Sequence, residues 1–241
     1  MSEQMPEQGT NAAPDKLRVV TIDGPSGVGK STVSRRVAAE LGFTYLDTGA
    51  MYRAVGYACA QAGIEVDDPA HQEALNKLLA ELDLRLLPPE KEGDEVRVFL
   101  GDEEVSAAIR MPEMSMAASQ VSAVPTVRAR LTVMQQEMGK AGGLVADGRD
   151  TGTVVFPQAA WKFYLDASPE ERCRRRVAQL RERGQEVDEQ ETLAQIIERD
   201  RNDQERTIAP LVMAADALHI DSSHINADEV VARMLEVVSS G

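Results

Sequence analysis

The run Gly24-Pro25-Ser26-Gly27-Val28-Gly29-Lys30-Ser31-Thr32 constrains this chain more than any other segment. It is a full match to GxxxxGK[ST]. It sits behind an apolar, β-branched run, LRVVTID (17–23), and ahead of a helical pattern that reaches Leu41. The spacing has a physical cause. Glycines let successive backbone N–H groups turn inward into an anion-binding nest. The helix that follows points its positive end at the same place. Lys30 then reaches the β- and γ-phosphates of a nucleoside triphosphate, and the Ser31 hydroxyl is placed to ligate Mg²⁺. A strand feeding such a loop is buried on both faces, which calls for a parallel sheet covered by helices.

The remaining segments fit that demand. FTYLD (43–47) reads as a second strand and AMYRAVGYACAQAG (50–63) as a second helix. GLVADGRD (143–150), WKFYLDAS (161–168) and ALHIDSS (217–223) read as further strands. Helices are expected over 125–140, 168–184 with Ser168 as its cap, 191–206 and 226–238. This alternation defines an α/β protein with a parallel core sheet flanked by helices. The middle breaks the rhythm. After a helical stretch, His71 to Glu81, the runs LDLRLL (82–87), EVRVFL (95–100) and a short piece near Val105 alternate apolar and polar residues between tight turns. They predict short antiparallel strands, so residues 76–118 are expected to be a small insertion. Residues 1–16 are polar and aperiodic and predict a disordered tail, leaving 17–241 as one domain.

Charge narrows the partners. The chain has 40 acidic and 26 basic residues, a net charge of −14. That balance argues against nucleic acid and against an anionic membrane surface. The segment 61–104 alone holds 13 acids against 4 bases. Of the 26 bases 20 are Arg, whose planar fork pairs bidentately with phosphate or carboxylate. No apolar stretch is long enough for a membrane span, and the first residues lack the basic start and apolar core of a signal peptide. The two cysteines, Cys59 and Cys173, stand alone. A cytoplasmic protein with no obligate protein partner is expected.

The triphosphate motif does not say where the γ-phosphate goes. No base-reading NKxD stretch of a switch GTPase is present, and the chain is too short for a large mechanical ATPase. A small-molecule kinase remains, and it needs an acceptor site at the carboxyl ends of the strands. Two candidates occur there: Asp47-Thr48-Gly49 with Tyr52 and Arg53, and Asp147-Gly148-Arg149-Asp150. The plainer alternatives are a helix capped by Asp47 or Thr48, and a salt-bridged loop. Asp147 ends its strand where a carboxylate holds Mg²⁺ through water.

At this point the chain resembles the bacterial cytidylate kinases of the nucleoside monophosphate kinase group. The resemblance is carried by TIDGPSGVGKST (21–32), LDTGAMYR (46–53), ASQVSAVPTVR (118–128), ADGRDTGTVVFP (146–157), FYLDASPEERCRRR (163–176) and ERDRNDQERTIAPLVMAADALHIDSS (198–223). It implies a P-loop kinase fold with an acceptor-binding insertion and an arginine-rich lid over about 176–198. It also implies ATP, with Mg²⁺, as donor and CMP or dCMP as acceptor. Thr48 and Arg53 would hold the acceptor phosphate, Thr48 replacing the Ser of other members. Ser119, Arg128 and Asp150 would surround the nucleoside, with Arg149 near its phosphate, Asp203 and Arg199 near the ribose or phosphate, and Arg206 also on the substrate. Lys30, Arg149, Arg175, Arg199 and Arg206 would neutralise the transferring phosphoryl group. A carboxylate at Asp150 suits cytosine, whose N4 amino group donates a hydrogen bond, whereas uracil presents an acceptor there. Arg172, Arg174, Arg181, Arg183 and Arg201 are expected on ion-paired, solvent-facing helix surfaces. Two competing readings remain: the same reaction on another acceptor such as AMP or shikimate, and a nucleotide-dependent switch without acceptor chemistry.

Overall fold

The apolar run at 17–23 forms β1 (Leu17–Asp23), the central strand of a five-stranded parallel sheet. The structure, a computed structural model, describes residues 16–91, 95–111, 113–182 and 184–240. Apart from Lys16, the tail expected over 1–16 lies outside them. In chain order the other elements are α1 (Lys30–Leu41), β2 (Thr44–Asp47), α2 (Thr48–Gln61), α3 (Gln72–Ala80), β3 (Leu84–Leu87), β4 (Arg97–Leu100), β5 (Glu103–Glu104) and α4 (Glu113–Ser122). Then follow α5 (Pro125–Gly139), β6 (Leu144–Gly148), β7 (Ala159–Asp166), α6 (Pro169–Glu182), α7 (Glu189–Glu205), β8 (Leu218–Asp221) and α8 (Ala227–Ser240). The parallel sheet runs β2-β6-β1-β7-β8.

Alternation in the central strands builds two cores. Val19, Leu144 and Ala146 point into one cluster with Met51 and Val55 of α2 and Leu131 of α5. Val20, Ile22, Val145 and Phe163 point into the other, with Val33 and Val37 of α1 and Met234 of α8. Both faces are apolar, as the unbroken run predicted. The helix ends follow local chemistry. Asp188 accepts from the amides of Gln190 and Glu191 to start α7. Asn226 and Glu229 cap each other's amides to start α8.

The antiparallel sheet runs β3-β4-β5, with Leu84 opposite Leu100 and Phe99 opposite Glu104. Leu84, Val98, Val105 and Ile109 join the first core, and the acids face outward. One helix was not foreseen. The alternating pattern gave no signal for α4, yet Glu113–Ser122 is helical and lies against α2. Small residues permit the approach: a Cβ added to Gly56 would lie 2.9 Å from the Cβ of Ala117. Among the described residues, no helix is long and apolar enough to cross a membrane.

Candidate active site

Parallel register brings the strand ends to one level. Asp23 of β1 pairs with Gly148 of β6, and Asp47 of β2 with Asp147. The loop after β1 turns sharply over this edge at Gly24. A Cβ there would lie 1.9 Å from the Leu165 carbonyl oxygen, so only glycine fits. Lys30 is buried, and its ammonium donates to the carbonyls of Gly24, at 2.7 Å, and Pro25. Burial, reinforced by the charge of Arg149, pushes its pKa well below the ordinary lysine value. The Ser31 hydroxyl donates to Asp147 at 2.9 Å, and the Tyr45 hydroxyl donates to the other Asp147 oxygen at 3.2 Å. Burial and the neighbouring Asp47 push the Asp147 carboxyl up to about 7.

Ser31 and Asp147 offer adjacent oxygen donors of the kind a hard divalent cation takes. Among the described residues, no group of three or more His, Cys, Asp or Glu could hold a metal by itself. The donor set therefore fits Mg²⁺ that completes its coordination with water and nucleotide phosphates, rather than an all-protein cage.

Opposite the P-loop, cations crowd together. Asp47 caps α2 by accepting from the Ala50 amide at 2.7 Å, and its second oxygen holds Arg53 at 3.1 Å. The cap and the candidate site are thus the same residue. The Thr48 hydroxyl donates to the Asp147 carbonyl at 2.6 Å, which leaves its lone pairs as acceptors only. Arg149 pairs with Asp203 at 2.7 Å. Burial opposes ionisation of Asp203, but Arg149 and Arg199 hold its carboxyl below the usual range. Arg199 faces the same pair. Burial, then the charges of Arg149 and Arg53, press its pKa down to about 10. The Nε–H groups of Arg53 and Arg199 are buried and meet no acceptor. Buried donors without partners are costly, and a phosphate is the ligand that satisfies them.

A second cluster adjoins the first. The buried Asp150 carboxylate takes Arg128 on one oxygen and Arg206 on the other, the latter at 3.3 Å. Burial raises its pKa against the pull of both arginines. Arg128 also lies over the Tyr52 ring, 5.6 Å from its centroid. Arg206 donates to the Ala209 carbonyl at 2.6 Å and to the Ser122 hydroxyl at 3.3 Å. Ser122 was not singled out from the sequence. Ser119 was, but it is only half-buried, and its carbonyl simply accepts from Ser122. Ala209 has φ 49, a strained backbone for a residue with a side chain, and no residue type announced it.

One further sequence reading changes. Arg172, expected on an ion-paired solvent face, is 2% exposed. It donates to the P-loop carbonyl of Ser26 at 3.1 Å and grips Asp200 of α7. The i, i+3 spacing that suggested a surface ladder also fits a helix side turned onto a neighbour. Arg174 and Arg181 do form exposed pairs, with Glu171 and Glu189. Arg201 is exposed, and Arg183 lies outside the described residues. Arg175 donates to the Val28 carbonyl at 3.2 Å and to Ser222, so it touches the P-loop. Asp23 was missed altogether. It accepts from the Thr151 amide and hydroxyl and the Gly152 amide at 2.7–2.8 Å, which fixes the turn after Asp150.

A P-loop on a sheet of this order, facing a cleft with surplus buried cations, defines a P-loop kinase that acts on a second, phosphate-bearing small molecule. Known proteins narrow the class. Residues 20–240 match the family model described as cytidylate kinase. The chain is 48% identical over 221 residues to the cytidylate kinase of Syntrophotalea carbinolica, covering 92% of both chains. It is 47% identical to the cytidylate kinase of Pelotomaculum thermopropionicum, covering 92% of this chain and 96% of the relative. It therefore belongs to the cytidylate kinase family. Among solved structures, an uncharacterized protein from Eubacterium ventriosum aligns over 94% of this chain with a TM-score of 0.51 and 11% identity, a likeness of fold alone.

Proposed function

We propose that this chain transfers the γ-phosphoryl group of ATP to CMP, and to dCMP, giving ADP and CDP or dCDP, in the cytoplasm. The observation that carries the reading is the pair of unpartnered, buried Nε–H groups on Arg53 and Arg199, beside a buried carboxylate at Asp150. The first feature suits an acceptor phosphate, the second a base with an amino group at N4.

In this reading the backbone N–H groups of Ser26 to Thr32 cradle the donor phosphates, and Lys30 leaves its carbonyl partners to follow them. Ser31, and Asp147 through water, hold Mg²⁺, which neutralises charge on the triphosphate when bound. Arg53 and Arg199 fix the acceptor phosphate, Thr48 joins them by turning its hydroxyl away from the Asp147 carbonyl, and Arg149 and Arg206 sit beside it. Asp150, Arg128, Ser119 and Asp203 orient the nucleoside. An oxygen of the acceptor phosphate forms the new bond to the γ-phosphorus while the bond to the β–γ bridging oxygen breaks and ADP departs. The acceptor phosphate is already anionic, so no general base is needed. Catalysis is then positioning plus charge neutralisation along the line of transfer. Residues 76–118 serve as the acceptor-binding insertion. Residues about 176–198 act as the lid, with Arg175 at its root excluding water from the donor.

Release of ADP from Mg-ATP, measured over a panel of CMP, dCMP, UMP, AMP and shikimate, tests the proposal. Turnover with CMP and dCMP well above the rest is expected. Turnover confined to another acceptor, or hydrolysis insensitive to every acceptor, would overturn it.

A further inference from the structure

We propose that Arg172 is a positioning residue that ties the P-loop to α7, so that the donor and acceptor halves of the site take up their working arrangement together. The proposal rests on the reaction given above. Arg172 touches three elements at once. Its Nε donates to the Ala167 carbonyl at 2.9 Å, at the end of β7. Its Nη1 donates to the Ser26 carbonyl at 3.1 Å and to Asp200 at 3.0 Å, and its Nη2 donates to the other Asp200 oxygen. Ser26 lies inside the loop that cradles the donor phosphates. Asp200 follows Arg199 directly and precedes Asp203 by one helical turn.

Helix packing alone does not require this charge. Cys173, Val177 and Ile196 already form an apolar contact between α6 and α7. A buried guanidinium is costly unless its donors are satisfied in a fixed geometry. Here that geometry spans the two binding surfaces. A P-loop that shifts when phosphates enter pulls on Asp200, and with it on the turn that presents Arg199 and Asp203. Lysine cannot substitute, because a single ammonium cannot span a carboxylate and two carbonyls in the plane of a fork.

The experiment measures binding of CMP and of a non-hydrolysable ATP analogue, each alone and each with the other saturating. It uses the full chain, Arg172→Lys, Asp200→Asn and Ile196→Val, with kcat, KM and Tm recorded in parallel. In the parent chain each ligand tightens the other by about 5-fold or more, the usual scale of coupling between sites. In Arg172→Lys and Asp200→Asn that factor falls below about 2. At the same time kcat drops roughly 10–100-fold, the scale of a misplaced reactant pair, with each KM shifted less than about threefold. Ile196→Val lowers Tm and keeps the parent factor. The tie is refuted if the parent shows no mutual tightening, if the two charge variants keep it, or if Ile196→Val loses it equally. Should Arg172→Lys fail to fold, Asp200→Asn decides. Should the parent act on an acceptor other than CMP, the reading of the substrate fails, and the same measurement with that acceptor still decides the tie.

Discussion

The two halves of this site are built from different materials. The donor half is backbone: nine contiguous residues, Gly24 to Thr32, between a strand and a helix, with Lys30 resting on the carbonyls of its own loop. The acceptor half is side chain, drawn from the ends of β2 and β6, from α5 and from α7. Its pairs, Arg128–Asp150, Arg149–Asp203 and Arg206–Asp150, cross 22, 54 and 56 residues of chain. A backbone cradle is indifferent to what hangs from the phosphates, whereas a cage of ion pairs has shape and sign. The proposed reaction therefore assigns triphosphate binding to the first half and choice of acceptor to the second.

That division predicts where substitutions act. Lys30→Met removes the charge proposed to follow the transferring phosphoryl group, so kcat should fall by about 10³-fold or more with the fold intact by circular dichroism. Arg199→Ala removes a buried donor from the acceptor half. The KM for CMP should rise by about 10²-fold while the KM for ATP moves less than about threefold, read from initial rates with each substrate varied in turn. An equal rise in both would break the separation of the halves.

The pH dependence follows from Asp147, whose carboxyl is pushed up to about 7. The folded chain holds that proton where an unfolded carboxylate has already released it. Without ligands, stability should thus fall as pH rises from about 4 to about 7. Cation binding needs the carboxylate, so Mg-ATP affinity should rise with pH through about 7 and flatten in Asp147→Asn, as titration calorimetry would register. The smallest effect belongs to Arg181, exposed and paired with Glu189. Arg181→Ala should change stability by less than about 0.5 kcal/mol by chemical denaturation.

The same contrast explains what the sequence made legible. The P-loop is local, and its spacing is its geometry, so every residue from Gly24 to Thr32 could be named with its task. The parallel sheet needed only the rule that parallel strands are buried and joined by helices, whereas the order of its strands came from the structure alone. Arg149 and Asp150 stood out at the carboxyl end of a strand, whereas Arg199 and Arg206 were found because their segment resembles a family, not because spacing brings α7 against β6. Arg172 and Arg174 show the limit. They stand two residues apart in one arginine-rich run, yet one is buried against the P-loop and the other reaches solvent. A charge ladder reads the same whether its helix side faces water or a neighbour. Asp23 was silent for a similar reason. Two of its three bonds, from Thr151 and Gly152, come from backbone amides, which leave no mark in residue type.

The claim that Asp150 reads the acceptor base is tested most directly by one ratio: kcat/KM for CMP over kcat/KM for UMP, in the parent chain and in Asp150→Asn. The parent ratio should be roughly 10–100, the penalty for setting the uracil O4 acceptor against a buried carboxylate. In Asp150→Asn, whose amide can also donate, it should fall towards about 1, since that discrimination rests on the charge. A ratio unchanged by the substitution, with both substrates slowed alike, would contradict the account and leave Asp150 as no more than the counter-ion of Arg128 and Arg206.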